Sequence, residues 1–433
     1  MSRLPMVRID RSLLKSLRLF SDDRLRWLDE AAALGPVAGL RFGPSTVYVV
    51  TDADVARTML VTDAAVWTRP PAIRLPVRVG VGENIFTQSD KAWARAQPLV
   101  APAFRGRALA SRLERLDEIV AAQLASVKLN EELDLELLMG RIALVIAAWV
   151  FLGEELDASY AHELADHQRH VVEWVGHRLG ALSSGIPFAF GADARRMRQH
   201  RRALEQYVDG VVERVEHDRD RDDTVLGRLR SAHVAGRPLE PDAIRGHVLG
   251  LLFAGNETTA AALSWVLAYA AAYPDLWGDV RRDSTSADAF VSETLRLRPP
   301  AWGLTRTPTS GGATLPCQGA SIRVRRPGVV TVYLRGIHRD AAVWPEPERF
   351  DPHRAPGADD QAPGRNLIPF GLGPRGCIGQ QLALAELRAV TPALARHGDV
   401  VVSSAPDEDA SFSLRPAGGL RGRFTAPAER STG

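Results

Sequence analysis

The sequence predicts a mainly α protein with a small β region, and three observations carry that expectation. A run from Val248 to Ala271 is almost wholly apolar and long enough for a buried helix. Elsewhere apolar residues step by three or four: Leu109, Leu113, Leu116, Val120 and Leu124 in one stretch, Met197, Leu204, Val208, Val211, Val212 and Val215 in another. Alternating, β-rich text is confined mainly to Ala313–Leu334.

Taken in order, Val37 to Thr51 alternates around turn signals at Gly43 and Pro44 and reads as a hairpin, with a helix beginning near Asp52. Residues Trp67 to Asp90 hold Pro70, Pro71, Pro76, Gly80 and Gly82, which predicts a long irregular loop of the kind that often carries function. The helix from Ala108 follows. The later one opens on Arg195, Arg196, Arg198, Arg201 and Arg202, read as a solvated face. Glu216 to Asp223 is a charged loop. After the long apolar helix come helices at Pro274–Arg282 and Ser286–Leu297, then strands with turns at Gly319 and Gly328, a helix after Cys377, and weak hairpins from Val400 to Phe424. No repeat or low-complexity tract interrupts the chain.

Composition excludes several classes. With 433 residues the chain could form two or three units, yet no linker divides it, and one large core remains open. Hydrophobic and charged fractions of 45% and 24% are those of a soluble globular protein. A net charge of +2 is too small to imply nucleic-acid binding. Two cysteines fit a reducing cytoplasm rather than a disulfide scaffold. The first twenty residues are broken by charges and read as neither signal nor anchor. Asn256, Glu257, Thr258 and Thr259 interrupt the apolar run at its centre, where a membrane span would not tolerate an ionisable group cheaply. No membrane partner is expected.

The most informative stretch is FGLGPRGCIG, Phe370 to Gly379. As a phosphate cradle it is preceded by Pro369 rather than a clear strand, and Arg396 sits near the place of the acidic residue expected about twenty positions on. As a zinc knuckle it lacks ligands, since the other cysteine is Cys317. A buried structural cysteine and a thiolate ligand to haem iron, with glycines admitting a flat macrocycle, both stay open on the loop alone.

Phe370, Gly373, Arg375, Cys377 and Gly379 match, position for position, the haem-binding signature of the cytochrome P-450 superfamily, and the chain resembles that family. Further motifs occur in the family's order: AGNETT at Ala254–Thr259, Glu293 and Arg296 in SETLRLRPP, and PERF at Pro347–Phe350. The resemblance implies one cytochrome P-450 domain over residues 1–433, with haem b (iron protoporphyrin IX) between the helix 241–272 and the loop 370–379. Cys377 is then the axial iron ligand, with Phe370, Gly371 and Gly379 beside it and Ala254 and Gly255 across the haem. Thr258 is the hydroxyl that hydrogen-bonds dioxygen, and Glu257 the acid that relays protons. Glu293, Arg296 and Arg349 form a buried network bracing the loop. Arg306 and Arg375 hold propionates, and one propionate is held by the Trp93 indole N–H and the neutral Gln97 amide. Gln97 stands where the family usually has an arginine, and Arg95, about 200° around the helix from Trp93, is not placed to replace it. His338 in GIHRD reads as structural.

The implied activity is a haem-thiolate monooxygenase acting with O2 on a small hydrophobic substrate, with Trp67–Asp90, Gly185–Phe190, Leu252 and Phe253, and Ala301–Leu304 as the expected pocket walls and Arg74 and Arg78 as polar handles. Electrons would come from a ferredoxin or flavodoxin with its NAD(P)H reductase, and the protein would work as a cytoplasmic monomer. Within the same fold, oxidative coupling, isomerisation or peroxygenation are rival uses of the site; a non-catalytic haem sensor is the rival outside it.

Overall fold

Helices dominate the computed structural model, which describes residues 5–10, 12–42, 45–181, 191–214, 223–234, 236–317, 320–354 and 363–428. The turn residues Gly43, Pro44 and Gly319, the charged stretch 216–222 and the wall segment 185–190 lie outside the described residues.

The core grows around two helices that are apolar on nearly every side. One is Leu135–Leu152, started by Asp134, whose side chain accepts from the Leu137 N–H, and stopped by Gly153 in the left-handed conformation at φ 68°. The other is Pro241–Ala272, with proline at its first position. They pack on each other and share the main hydrophobic cluster. Among the described residues Leu135–Leu152 alone is long and apolar enough to cross a membrane, and 78% of it is buried inside the fold, as a core helix is.

A six-stranded sheet runs in the order Met6–Asp10, Val37–Phe42, Ser45–Val50, Val329–Val332, Leu304–Pro308, Trp67–Thr68. The hairpin expected at Val37–Thr51 is its second and third strands, with Val37 opposite Val50. At the far edge Trp67 lies opposite Pro308 and Thr68 opposite Thr307. That edge delivers the segment after Thr68 to the strand carrying Arg306.

Two expectations are corrected. Much of Trp67–Asp90 is the helix Pro71–Val81, not irregular loop; proline at its first turn and Gly82 at φ 79° after its end are start and stop signals, and Pro76 is accommodated within it. The helix expected from Ala108 to Leu124 is two, Gly106–Leu113 and Leu116–Leu124, broken where Arg115 leaves helical geometry. Pro274–Arg282 forms as expected, and Ser284–Leu297 begins two residues early with Asp283 as its cap.

Candidate active site

The loop 370–379 is folded on itself by backbone hydrogen bonds, Cys377 N–H to the Phe370 carbonyl at 2.9 Å and Gly376 N–H to the Gly373 carbonyl at 2.9 Å. Gly371 and Gly373 hold positive φ of 69° and 72°. At Gly373, on the exposed side of the loop, a Cβ would come within 2.0 Å of the Leu60 carbonyl oxygen, so this glycine is needed for backbone to pass backbone. Cys377 is accessible to solvent, yet burial raises its thiol above the ordinary value. Both hold for a sulfur on the floor of a recess. The backbone N–H of Gly379 hydrogen-bonds that sulfur and works in the opposite direction, favouring thiolate.

The long helix presents one opening. From Gly246 through Ala268 every residue is buried except Ala254, Gly255 and Thr258, which share one face. A Cβ on Gly255 would stand 3.4 Å from the Phe151 ring; Phe151 packs on Phe104, and Phe104 lies 3.7 Å from a Cβ built on Gly379. One aromatic pair therefore backs both the helix opening and the cysteine loop.

The polar groups of AGNETT go to different partners. Thr258 Oγ1 donates to the Ala254 carbonyl at 2.8 Å. Glu257 is buried and accepts from Ser413 Oγ at 2.5 Å. Burial raises its carboxyl, while Arg415 and the Ser413 hydrogen bond pull it down. Arg415 also reaches Asp409 at 3.1 Å and Glu136 at 3.6 Å, so Glu257 joins a chain of acids around one guanidinium. Thr259, next in sequence, donates to the buried Glu386 on the helix after the cysteine loop at 2.9 Å. Gln168 donates to the Leu252 and Phe253 carbonyls, one turn before Asn256 and Glu257.

Cations crowd one edge of this region. Arg306 is buried and has its side chain on the Thr305 carbonyl. Arg375 pairs with Asp90 at 2.5 Å and lies with its guanidinium 3.8 Å from the centre of the Trp93 ring. Its Nη1 is buried without a partner among the described residues. Burial and the Arg375 charge pull Arg306 down to about 10. Buried like charges and an orphaned guanidinium nitrogen are what a dianionic edge would neutralise, so these residues fit the propionates of a haem, which Cys377 and the accessible Ala254, Gly255 and Thr258 would help to hold. Gln97 is half-buried and Arg95 exposed on the same helix, in keeping with Arg95 pointing elsewhere.

Behind the loop, Glu293 and Arg296 form a buried bidentate pair at 2.7 and 2.8 Å. Arg296 also donates to the carbonyls of His338 and Pro347 at 2.8 Å each. Arg349 does not complete this network with its side chain. That side chain is 60% exposed and pairs with Glu346, because Phe350 turns inward onto Tyr269 and sends its neighbour outward. Only the Arg349 carbonyl joins, accepting from Arg296 at 3.2 Å, and the second guanidinium on Glu293 belongs to Arg354, at 3.0 Å.

Sequence reading also passed over Arg354, Ser413, Arg415 and Arg69. The first three come from irregular or weak-strand segments whose partners lie far away in the chain, and nothing local marks them. Of the proposed polar handles, Arg78 is taken by Glu83 at 2.8 Å, whereas Arg74 has a buried Nε with no partner among the described residues.

The family model described as Cytochrome P450 matches residues 23–417. Cyclooctatin synthase of Streptomyces melanosporofaciens is 27% identical over 399 residues, covering 86% of this chain and 84% of that protein. Cyclooctat-9-en-7-ol 5-monooxygenase of the same organism is 25% identical over 396 residues, covering 86% and 84%. Among solved structures, a 6-coordinated cytochrome P450 from Thermus thermophilus superposes with a TM-score of 0.74 at 23% identity, over 98% of this chain and all of that one, a likeness of fold.

Proposed function

This chain belongs to the cytochrome P450 family, an oxidoreductase with a haem-iron cofactor, and from that premise we propose a haem-thiolate monooxygenase that inserts one atom of O2 into a small hydrophobic organic molecule. The observation that carries this reading is the single opening of the long helix, where Thr258 stands on the accessible face and Glu257 is the next residue, buried and held towards its acid form. An isomerase or a haem sensor has no need of an acid and an alcohol at that place.

Haem b, when bound with Cys377 as thiolate ligand, would supply the electron-rich iron that activates dioxygen. The remaining work falls to this chain. The Gly379 N–H tunes the sulfur by hydrogen bonding. Thr258 can swing its hydroxyl from the Ala254 carbonyl to offer a proton on the open face. Glu257, fed through Ser413 and the Arg415 cluster, resupplies that proton from the interior. Phe253 and Leu252 are buried and the half-buried Ala301–Leu304 segment is apolar, which suits a hydrophobic substrate. The two Streptomyces relatives, named for cyclooctatin and for cyclooctat-9-en-7-ol, support a natural product of that character.

The whole chain is read as one domain, working in the cytoplasm as a monomer. Lys91, Arg95, Arg105 and Arg107 are all exposed on the segments leading into and out of Phe104, which lies against Gly379. This basic face suits an acidic ferredoxin or flavodoxin, reduced by its NAD(P)H reductase, on the cysteine side.

The test is a panel of hydrophobic natural products screened for the ferric spin-state shift, followed by turnover of each binder under isotopically labelled dioxygen with a ferredoxin system. Monooxygenation places one labelled atom in the product. Product formed without label, or formed from peroxide alone and never from dioxygen, contradicts it.

A further inference from the structure

We propose that Arg69 binds the haem propionate left without its usual arginine by Gln97. The inference rests on the cytochrome P450 reading above and begins from strand register. Trp67 pairs with Pro308 and Thr68 with Thr307 in antiparallel sense. One step further along the same register puts Arg69 across from Arg306. Like charges directly opposite on neighbouring strands repel, and an anion lying between them would relieve that repulsion.

The protein supplies too little negative charge there. Arg69 donates through Nη1 to the Phe86 carbonyl at 2.9 Å, a neutral acceptor. Among the described residues Arg306 likewise reaches only a carbonyl, that of Thr305. Asp90 is the acid within electrostatic reach of both, and it is already engaged by Arg375 at 2.5 Å. Arg69 feels Arg306, Arg375 and Arg74 at once, and burial together with those charges pulls it down to about 9, so it stays a cation at neutral pH at a large electrostatic cost. Its side chain is only half-buried, which places the charge in a recess rather than inside solid protein. Two propionate carboxylates match this surplus.

Gln97 lies one helical turn after Trp93, whose ring carries Arg375. Its amide can donate a hydrogen bond but brings no charge. The cation lost from that helix is therefore restored from the sheet edge, by the residue that follows Thr68.

The experiment uses the purified holoprotein and follows haem transfer to excess apomyoglobin, with the reduction potential as a second readout. Arg69→Gln is expected to lose haem roughly tenfold faster or more, the weight of one charge-assisted hydrogen bond, and to lower the potential. Arg69→Lys, which keeps the charge, should fall between. Adding Gln97→Arg to Arg69→Gln should restore retention, a rescue that a merely structural arginine would not allow. Arg69→Gln releasing haem at the wild-type rate, or a double variant as leaky as the single one, overturns the assignment. A wild-type protein purified without haem is a different failure, of the cytochrome P450 reading itself.

Discussion

The backbone N–H of Ile368 donates to Nε2 of His338 at 2.9 Å, in full burial. His338 in turn lends its carbonyl to Arg296. Through this histidine the Glu293–Arg296 pair reaches a point two residues before Phe370, where the cysteine loop begins. Burial and the nearby Arg296 charge push His338 down to about 3, so it is neutral across the physiological range and accepts at Nε2. Replacing it with phenylalanine strands the Ile368 N–H, a loss of about 1–3 kcal/mol. Thermal unfolding of His338→Phe should start lower and haem retention should fall with it. A variant as stable as wild type would show that the loop is braced elsewhere.

Arg349 and Arg354 separate the expected network from the observed one. Arg349→Ala removes an exposed ion pair with Glu346 and should leave unfolding close to that of the wild type. Arg354→Ala takes a mostly buried guanidinium from Glu293 Oε1, so it should cost on the order of 1–3 kcal/mol. Urea unfolding of the two variants compares them directly, and equal losses would return Arg349 to the network.

Thr258→Ala is expected to bind substrate normally and consume electrons while yielding little product, because the open helix face then lacks its hydroxyl. The ratio of product to NAD(P)H oxidised reads this. Full coupling would remove Thr258 from proton delivery.

Ser413 supplies a hydrogen bond that favours the charged form of Glu257. Ser413→Ala therefore raises the Glu257 carboxyl further. A donor acid works while protonated and fails as pH rises through its pKa, so the alkaline limb of product formation should move to higher pH in this variant. An acid-ward move would contradict the assignment.

Glu136 offers a test through stability. Burial raises its carboxyl from 4.5 to about 7. The folded state then binds this proton more tightly than the unfolded chain does, and its contribution to stability is present below pH 4.5 and lost as pH rises towards 7. Glu136→Gln should flatten that part of the stability profile, measured by urea unfolding from pH 4.5 to 7. An unchanged slope would mean that Arg415 holds the carboxylate charged.

Much of the fold and site was legible where local chemistry is dense. The cysteine loop, the AGNETT interruption and the Glu293–Arg296 spacing are short signals whose meaning survives without neighbours. The helix Leu135–Leu152 was missed because it is apolar on all sides, and a helix with no polar face shows no period. Prolines hid the helix Pro71–Val81, although they also mark its start. Arg69 and Arg354 were beyond reach for a different reason: the role of each depends on a strand or turn that brings distant chain together, and charge alone does not announce it.

The account stands most directly on the reduced, carbon-monoxide-bound absorption spectrum of the wild-type protein and of Cys377→Ser. Thiolate ligation by Cys377 predicts the strongly red-shifted band in the wild type and its loss in a variant that still contains haem. The same red-shifted band in both proteins would contradict it.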